Sequence, residues 1–148
     1  MSKRLWIAAI ALLCCGCHSY ETRTYDVVVR NATESPIVVW LTKNGEPYEQ
    51  GWLSPEDIGI ESPNMVEKSK TFSWTTIDPA QTQGTGKVTG QFEPSTAAIL
   101  RVYRNASKFS DLLAISRPGA NRTDVELHPG YNSFVVESDG ALHVRESR

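Results

Sequence analysis

The chain has 148 residues, 40% of them hydrophobic and 22% charged, which suits one domain with a single packed core and excludes a wholly disordered chain. Its formal net charge is −2. Removing Lys3 and Arg4 from the 15 basic side chains leaves 13 against 17 acidic ones, without a dense Lys/Arg cluster, so no nucleic-acid partner is expected.

The first segment is MSKR, a short basic stretch, followed by the uncharged run LWIAAIALLCC. Eleven apolar residues are too few to span a bilayer, which needs about 20. The run has no polar face, so it does not suit an amphipathic core helix either. A positive start, a short apolar segment and small residues after it are the marks of an export signal.

All three cysteines, Cys14, Cys15 and Cys17, fall at the end of this run. A disulfide framework would need partners further along the chain, and the sequence has none. Zinc would need paired spacing and a second half-site. The histidines, His18, His128 and His143, stand far apart, so neither a metal nor another cofactor is expected. The stretch LLCCGC instead resembles the lipobox of bacterial lipoproteins. That resemblance implies that Cys17 receives a diacylglyceryl group and that the leader is cut after Gly16. The usual Leu is replaced by Cys14, so Cys15, preceded by Leu12, Leu13 and Cys14, is the alternative acceptor. Two or more acyl chains hold a protein stably on a membrane. The implied layout is a leader over 1–16, a polar tether over 17–24 and one domain over 25–148. The implied location is the bacterial cell envelope, with the membrane itself as a partner.

Strand signals begin at YDVVVR (Tyr25–Arg30), where side chains alternate. IVVWLTK (Ile37–Lys43) is apolar on both faces and reads as a central strand. NG at Asn44–Gly45 marks a tight turn. The segment Glu46–Ser69 is irregular and carries three prolines. Within it SPED starts a short helix: Ser54 caps, Pro55 suits the first helical position, and Glu56 and Asp57 complement the positive helix end. Further strands are expected at Lys70–Ile77, Lys87–Phe92, Ala97–Arg104, Leu112–Arg117, Arg122–His128 and in YNSFVVES and ALHVRE. QTQGTG reads as a Gly-rich loop before Lys87, and NASKFSD as a turn or short helix. PG at Pro129–Gly130 and DG at Asp139–Gly140 mark tight turns.

Eight or nine short strands with little helix point to an all-β antiparallel sandwich, with a general look that is Ig-like or transthyretin-like. The expected core is Val27, Val29, Ile37, Val39, Leu41, Phe72, Trp74, Val88, Phe92, Ile99, Val102, Val125, Leu127, Phe134 and Val136.

Chemistry is sparse. No nucleophile elbow and no complete phosphate loop occur; GTGK at Gly84–Lys87 lacks the Walker spacing. The triplets Asn31-Ala-Thr33, Asn105-Ala-Ser107 and Asn121-Arg-Thr123 have the form of glycan acceptors, but their residues are equally those of ordinary turns. Glu56 and Asp57 are adjacent and do not converge on one point of a helix, so capping explains them without catalysis. Tyr48 and Trp52 are the best candidates for surface aromatics. The expected function is therefore a lipid-anchored envelope sandwich with a non-catalytic binding or assembly role. Its binding surface would be Tyr48, Trp52, Glu56 and Asp57, its partner an envelope protein or a glycan. In leader and general architecture the chain resembles the small sandwich lipoprotein of type VI secretion. The alternatives are a carbohydrate-binding module using the aromatics and an envelope hydrolase using the carboxylates.

Overall fold

The computed structural model describes residues 19–61 and 74–147. The cysteines and Phe72 lie outside them. Eight strands form two four-stranded sheets. Sheet A has the order β4-β1-β7-β8 and sheet B the order β3-β2-β5-β6. The strands are β1 (Glu21–Asn31), β2 (Ile37–Lys43), β3 (Trp74–Ile77), β4 (Thr82–Phe92), β5 (Ala98–Arg104), β6 (Arg122–Glu126), β7 (Gly130–Ser138) and β8 (Leu142–Glu146). Two short helices, α1 (Pro55–Glu61) and α2 (Phe109–Ala114), and one 3₁₀ turn, Gln50–Trp52, complete the described elements. The all-β sandwich expected from the turn spacing is the fold observed.

One ladder departs from the antiparallel expectation: β1 and β7 run parallel, from Tyr25 opposite Gly130 to Asn31 opposite Val136. Parallel neighbours need a long crossover. Here the chain passes through the other sheet between them. The first two strands lie in different sheets, whereas an immunoglobulin-type sandwich keeps its first two together. The strand order is therefore not the immunoglobulin one.

Strand β1 starts at Glu21 rather than Tyr25, because Glu21–Thr24 already pair with Thr89–Phe92. QTQGTG is largely strand, not loop. Its Thr82–Gly84 pair with Val28–Arg30, and the register then shifts between Asp26 and Val28. At this bulge Gly86 takes φ +64°, and the Thr85 hydroxyl accepts the Val27 amide at 3.1 Å in place of a ladder carbonyl. The strand expected at Leu112–Arg117 is instead the end of α2, up to Ala114, and the irregular residues after it. Asp111 starts that helix by accepting the Lys108 amide at 2.9 Å. The backbone N–H groups of Ser107 and Lys108 hold its carboxyl below the usual range.

The main core lies between the sheets. Val27, Val29, Ile37, Val39, Leu41, Phe92, Val102, Leu127, Phe134 and Val136 are buried as expected. Val88 and Val125 are partly buried against them. Ile99 is only half-buried, and Leu100 takes its place inside. β5 is apolar on both faces, so alternation did not fix its phase; pairing of Leu41 with Leu100 and Val39 with Val102 does. Trp74 opens β3 opposite Trp40.

A second apolar cluster covers the outer face of sheet B. It joins Val38, Trp40 and Tyr103 on the sheet to Leu53, Ile58 and Leu112 from the 3₁₀ turn's end, α1 and α2. This explains why all seven residues of β2 are buried.

Trp52 ties the covering segment to the main core. Its ring meets Tyr25 at 5.6 Å and Phe92 at 5.2 Å, and its Nε1 donates to the Thr89 carbonyl at 3.3 Å. Gly90 lies directly beneath the indole, where any Cβ would collide with the ring. We predict that Trp52→Ala lowers unfolding stability by about 3–5 kcal/mol in urea titration; a loss below about 1 kcal/mol would contradict this placement.

Candidate functional site

The segment Glu46–Ser69 was expected to carry binding residues, and most of its described part, 46–61, is structural. Trp52, expected on the surface, is 3% exposed. The backbone around it stitches β2 to the covering segment. Thr42 Oγ1 donates to the Trp52 carbonyl at 2.8 Å, and Trp40 Nε1 donates to the Leu53 carbonyl at 2.9 Å. Glu49 reaches the edge of β4, accepting the Gln91 amide at 2.9 Å and pairing with Lys43 Nζ at 2.6 Å. An edge strand exposes unpaired amides, and here a carboxylate satisfies one.

Asp57 closes a capping box. Its Oδ2 accepts the Ser54 amide at 3.0 Å and the Ser54 hydroxyl at 2.6 Å, while Ser54 Oγ accepts the Asp57 amide at 3.1 Å. Glu56, its neighbour, turns towards the sheet. It meets Arg101 at 2.6 Å and Arg122 at 3.5 Å. Thus the two carboxylates serve different partners and do not face one another.

Glu56 belongs to a four-charge cluster on the outer face of sheet B. Ladder pairing sets Arg101 beside Asp124 and Tyr103 beside Arg122. Arg122, 4% exposed, forks onto Asp124 through Nε at 2.7 Å and Nη2 at 2.6 Å. Its Nη1 donates to the Ser116 carbonyl at 2.8 Å, just past the end of α2. A cation suits a helix C-terminus, where carbonyls lack intrahelical partners. The Arg122 guanidinium also lies 5.7 Å from the Tyr103 ring. Burial pushes the Tyr103 hydroxyl up, against the pull of the Arg101 guanidinium. One cluster therefore holds α1 through Glu56 and the α2 exit through Arg122.

The sequence reading did not find Arg101, Arg122 and Asp124 as a unit. A signal was present: Arg101 sits inside AAILRVYR, a strand apolar on both faces, and a cation there requires a buried partner.

The outer face of sheet A is open, and exposed clefts lie at the two ends of the sandwich. Where β1 begins, Tyr48 is 65% exposed in the turn after β2, and a cleft is lined by Arg23, Ser95, Thr96, Glu126, His128 and Pro129. At the opposite end a cleft of about 500 Å³ is formed by Thr33, Glu34, Ser35, Arg104, Asn105 and Asp139. Its walls are fixed by turn chemistry. Asn31 is fully buried and donates to the Ser35 and Ile77 carbonyls, and Asn121 Oδ1 accepts from Arg104 and Asn105, each at 3.1 Å. All three Asn of the Asn-x-Ser/Thr triplets thus act in turns.

Among the described residues, no group of three or more His, Cys, Asp and Glu side chains converges as a metal site would. No protein-family model and no curated protein matches the chain.

The two kinds of surface make opposite predictions. Arg122→Ala leaves Glu56 and Asp124 short of a partner and is expected to cost about 3–5 kcal/mol of stability. Tyr48→Ala is expected to stay within about 0.5 kcal/mol of the parent. Equal effects in paired thermal melts would contradict the division into structural clamp and free surface.

Proposed function

We propose that the protein is a lipid-anchored domain of the bacterial cell envelope with a non-catalytic binding or assembly role. The observation that carries this reading is the juncture of leader and fold. Among the described residues, regular structure begins at Glu21, only four positions after the lipobox Cys17. A cut before Cys17 therefore leaves the sandwich intact and joins it almost directly to the acylated residue.

The fate of the carboxylates supports binding over hydrolysis. Asp57 is engaged in the helix cap and Glu56 in the arginine cluster. A general acid or base needs a free approach to substrate, and both groups are turned inward to structural partners. Burial of Trp52 likewise takes the largest ring out of a sugar-stacking platform. Binding falls instead to the loop-built cleft around Thr33, Arg104 and Asp139, at the end remote from the anchor. Loops on a rigid sandwich are where recognition is placed without disturbing the core.

Metabolic labelling with a fatty-acid analogue tests the anchor. Cys17→Ser is expected to abolish labelling and to release the protein from membranes. Persistent labelling of that variant moves the acceptor to Cys15. A parent chain that takes up no label refutes anchoring altogether.

A further inference from the structure

We infer that the end of the sandwich where β1 begins is a membrane-contacting face that rests on a zwitterionic phospholipid surface, with Tyr20 and Tyr48 among the headgroups. This rests on the anchoring reading above and goes beyond it by naming the part of the domain that meets the lipid.

Chain length limits how far the start of β1 can stand from the lipid. Three residues, His18, Ser19 and Tyr20, separate Cys17 from Glu21. At full extension these four Cα steps reach about 14 Å. The eleven residues of β1 span about 36 Å, so the domain is longer than its tether. The start of β1 must therefore stay close to the lipid, and the cleft around Thr33 and Arg104 lies at the far end.

The near end is built as a rigid surface. Arg23 Nη1 donates to the Thr96 carbonyl at 2.6 Å, tying the start of β1 to the loop after β4. Asn44 clasps Ala97 in both directions: its amide donates to the Ala97 carbonyl at 3.1 Å, and its Oδ1 accepts the Ala97 amide at 2.6 Å. Asn132 folds the loop before β7 by binding both the amide and the carbonyl of His128. Loops fixed in this way present a constant surface to whatever lies beneath.

The composition of that surface fits a headgroup layer. The exposed large hydrophobic side chains among the described residues are Tyr20, Tyr48, Leu113 and Tyr131. Leu113 is on α2. Tyr20 directly precedes β1 and Tyr48 lies in the turn clasped by Asn44, whereas Tyr131 pairs with Asp26, midway along β1 on the outer face of sheet A. Tyrosine, with an apolar ring and a polar tip, is suited to the membrane–water boundary. Glu21, Glu46, Glu93 and Glu126 at the same end outnumber Arg23, so the surface suits zwitterionic lipid and is repelled by an anionic one.

The test uses the full-length lipidated protein in phosphatidylcholine vesicles, recovered by flotation. A nitroxide is placed at Ser95→Cys, on the near end, or at Ala141→Cys, on the far end, and its collision with a water-soluble paramagnetic quencher is measured. The Ser95 label is expected to be several-fold better shielded than the Ala141 label. That shielding should fall in a Tyr20→Ser/Tyr48→Ser background while flotation persists, and it should weaken when phosphatidylglycerol is added. Equal accessibility of the two labels on floating protein would overturn the membrane face and leave the anchor standing. Shielding unchanged by phosphatidylglycerol would overturn the zwitterionic preference. Failure to float would overturn the anchor and this inference with it.

Discussion

Every residue of β2 from Ile37 to Lys43 is buried, so sheet B has no face to leave to water. One face packs against sheet A. The other needs a second covering layer, and the chain supplies it from the connections after β2 and after β5. The segment after β2 contributes Leu53 and Ile58, and the segment after β5 contributes Leu112. Those connections have little freedom left. Trp52 is sunk into the main core above Gly90, Ser54 and Asp57 fix the start of α1, and Glu56 is held by two arginines. Buried charges of this kind are costly to separate, because removing one leaves the others desolvated and unpaired. The cluster thus reinforces a layer that apolar contact already favours.

This constraint redistributes the surface available for function. In a sandwich with both outer faces open, the long connection after β2 would be the natural place for recognition. Here it is consumed by covering the sheet, apart from Tyr48 and the turn around it. The exposed features collect at the ends and on the outer face of sheet A instead. The end where β1 begins has Tyr48 and acidic residues on loops stapled by Asn44 and Asn132. The far end has a polar cleft built from three turns. The proposed anchoring at one end and recognition at the other would use that division.

Much of the fold was legible in the sequence because its signals were local. Alternation in YDVVVR, the two-sided apolarity of IVVWLTK and the Pro-Gly and Asp-Gly turns each depend on a few neighbouring residues. The cap at Ser54 was legible for the same reason. Errors arose where long-range pairing decided. QTQGTG has the composition of a loop, but pairing with Val28–Arg30 makes its first half strand. AAILRVYR gave no phase, since both of its faces are covered. Trp52 looked like a surface aromatic because nothing near it in sequence announces Gly90, 38 positions later, as the hollow that receives it. Of the candidate site, the capping role of Asp57 was readable. The arginine partners of Glu56 were not, because they come from β5 and β6, which only the folded sheet brings together.

The central claim is that the segment carrying Trp52 and α1 is part of the core and not a detachable recognition loop. Native-state amide hydrogen exchange addresses it directly, since an element that opens by itself exchanges faster than one released only by global unfolding. The Ile58 amide, bonded to the Ser54 carbonyl at 3.1 Å, is the reporter for α1, and the amides of β2 are the reference. The account predicts that Ile58 and β2 share the same slow exchange and the same dependence on denaturant. Exchange of Ile58 that is orders of magnitude faster, with β2 still protected, would contradict it.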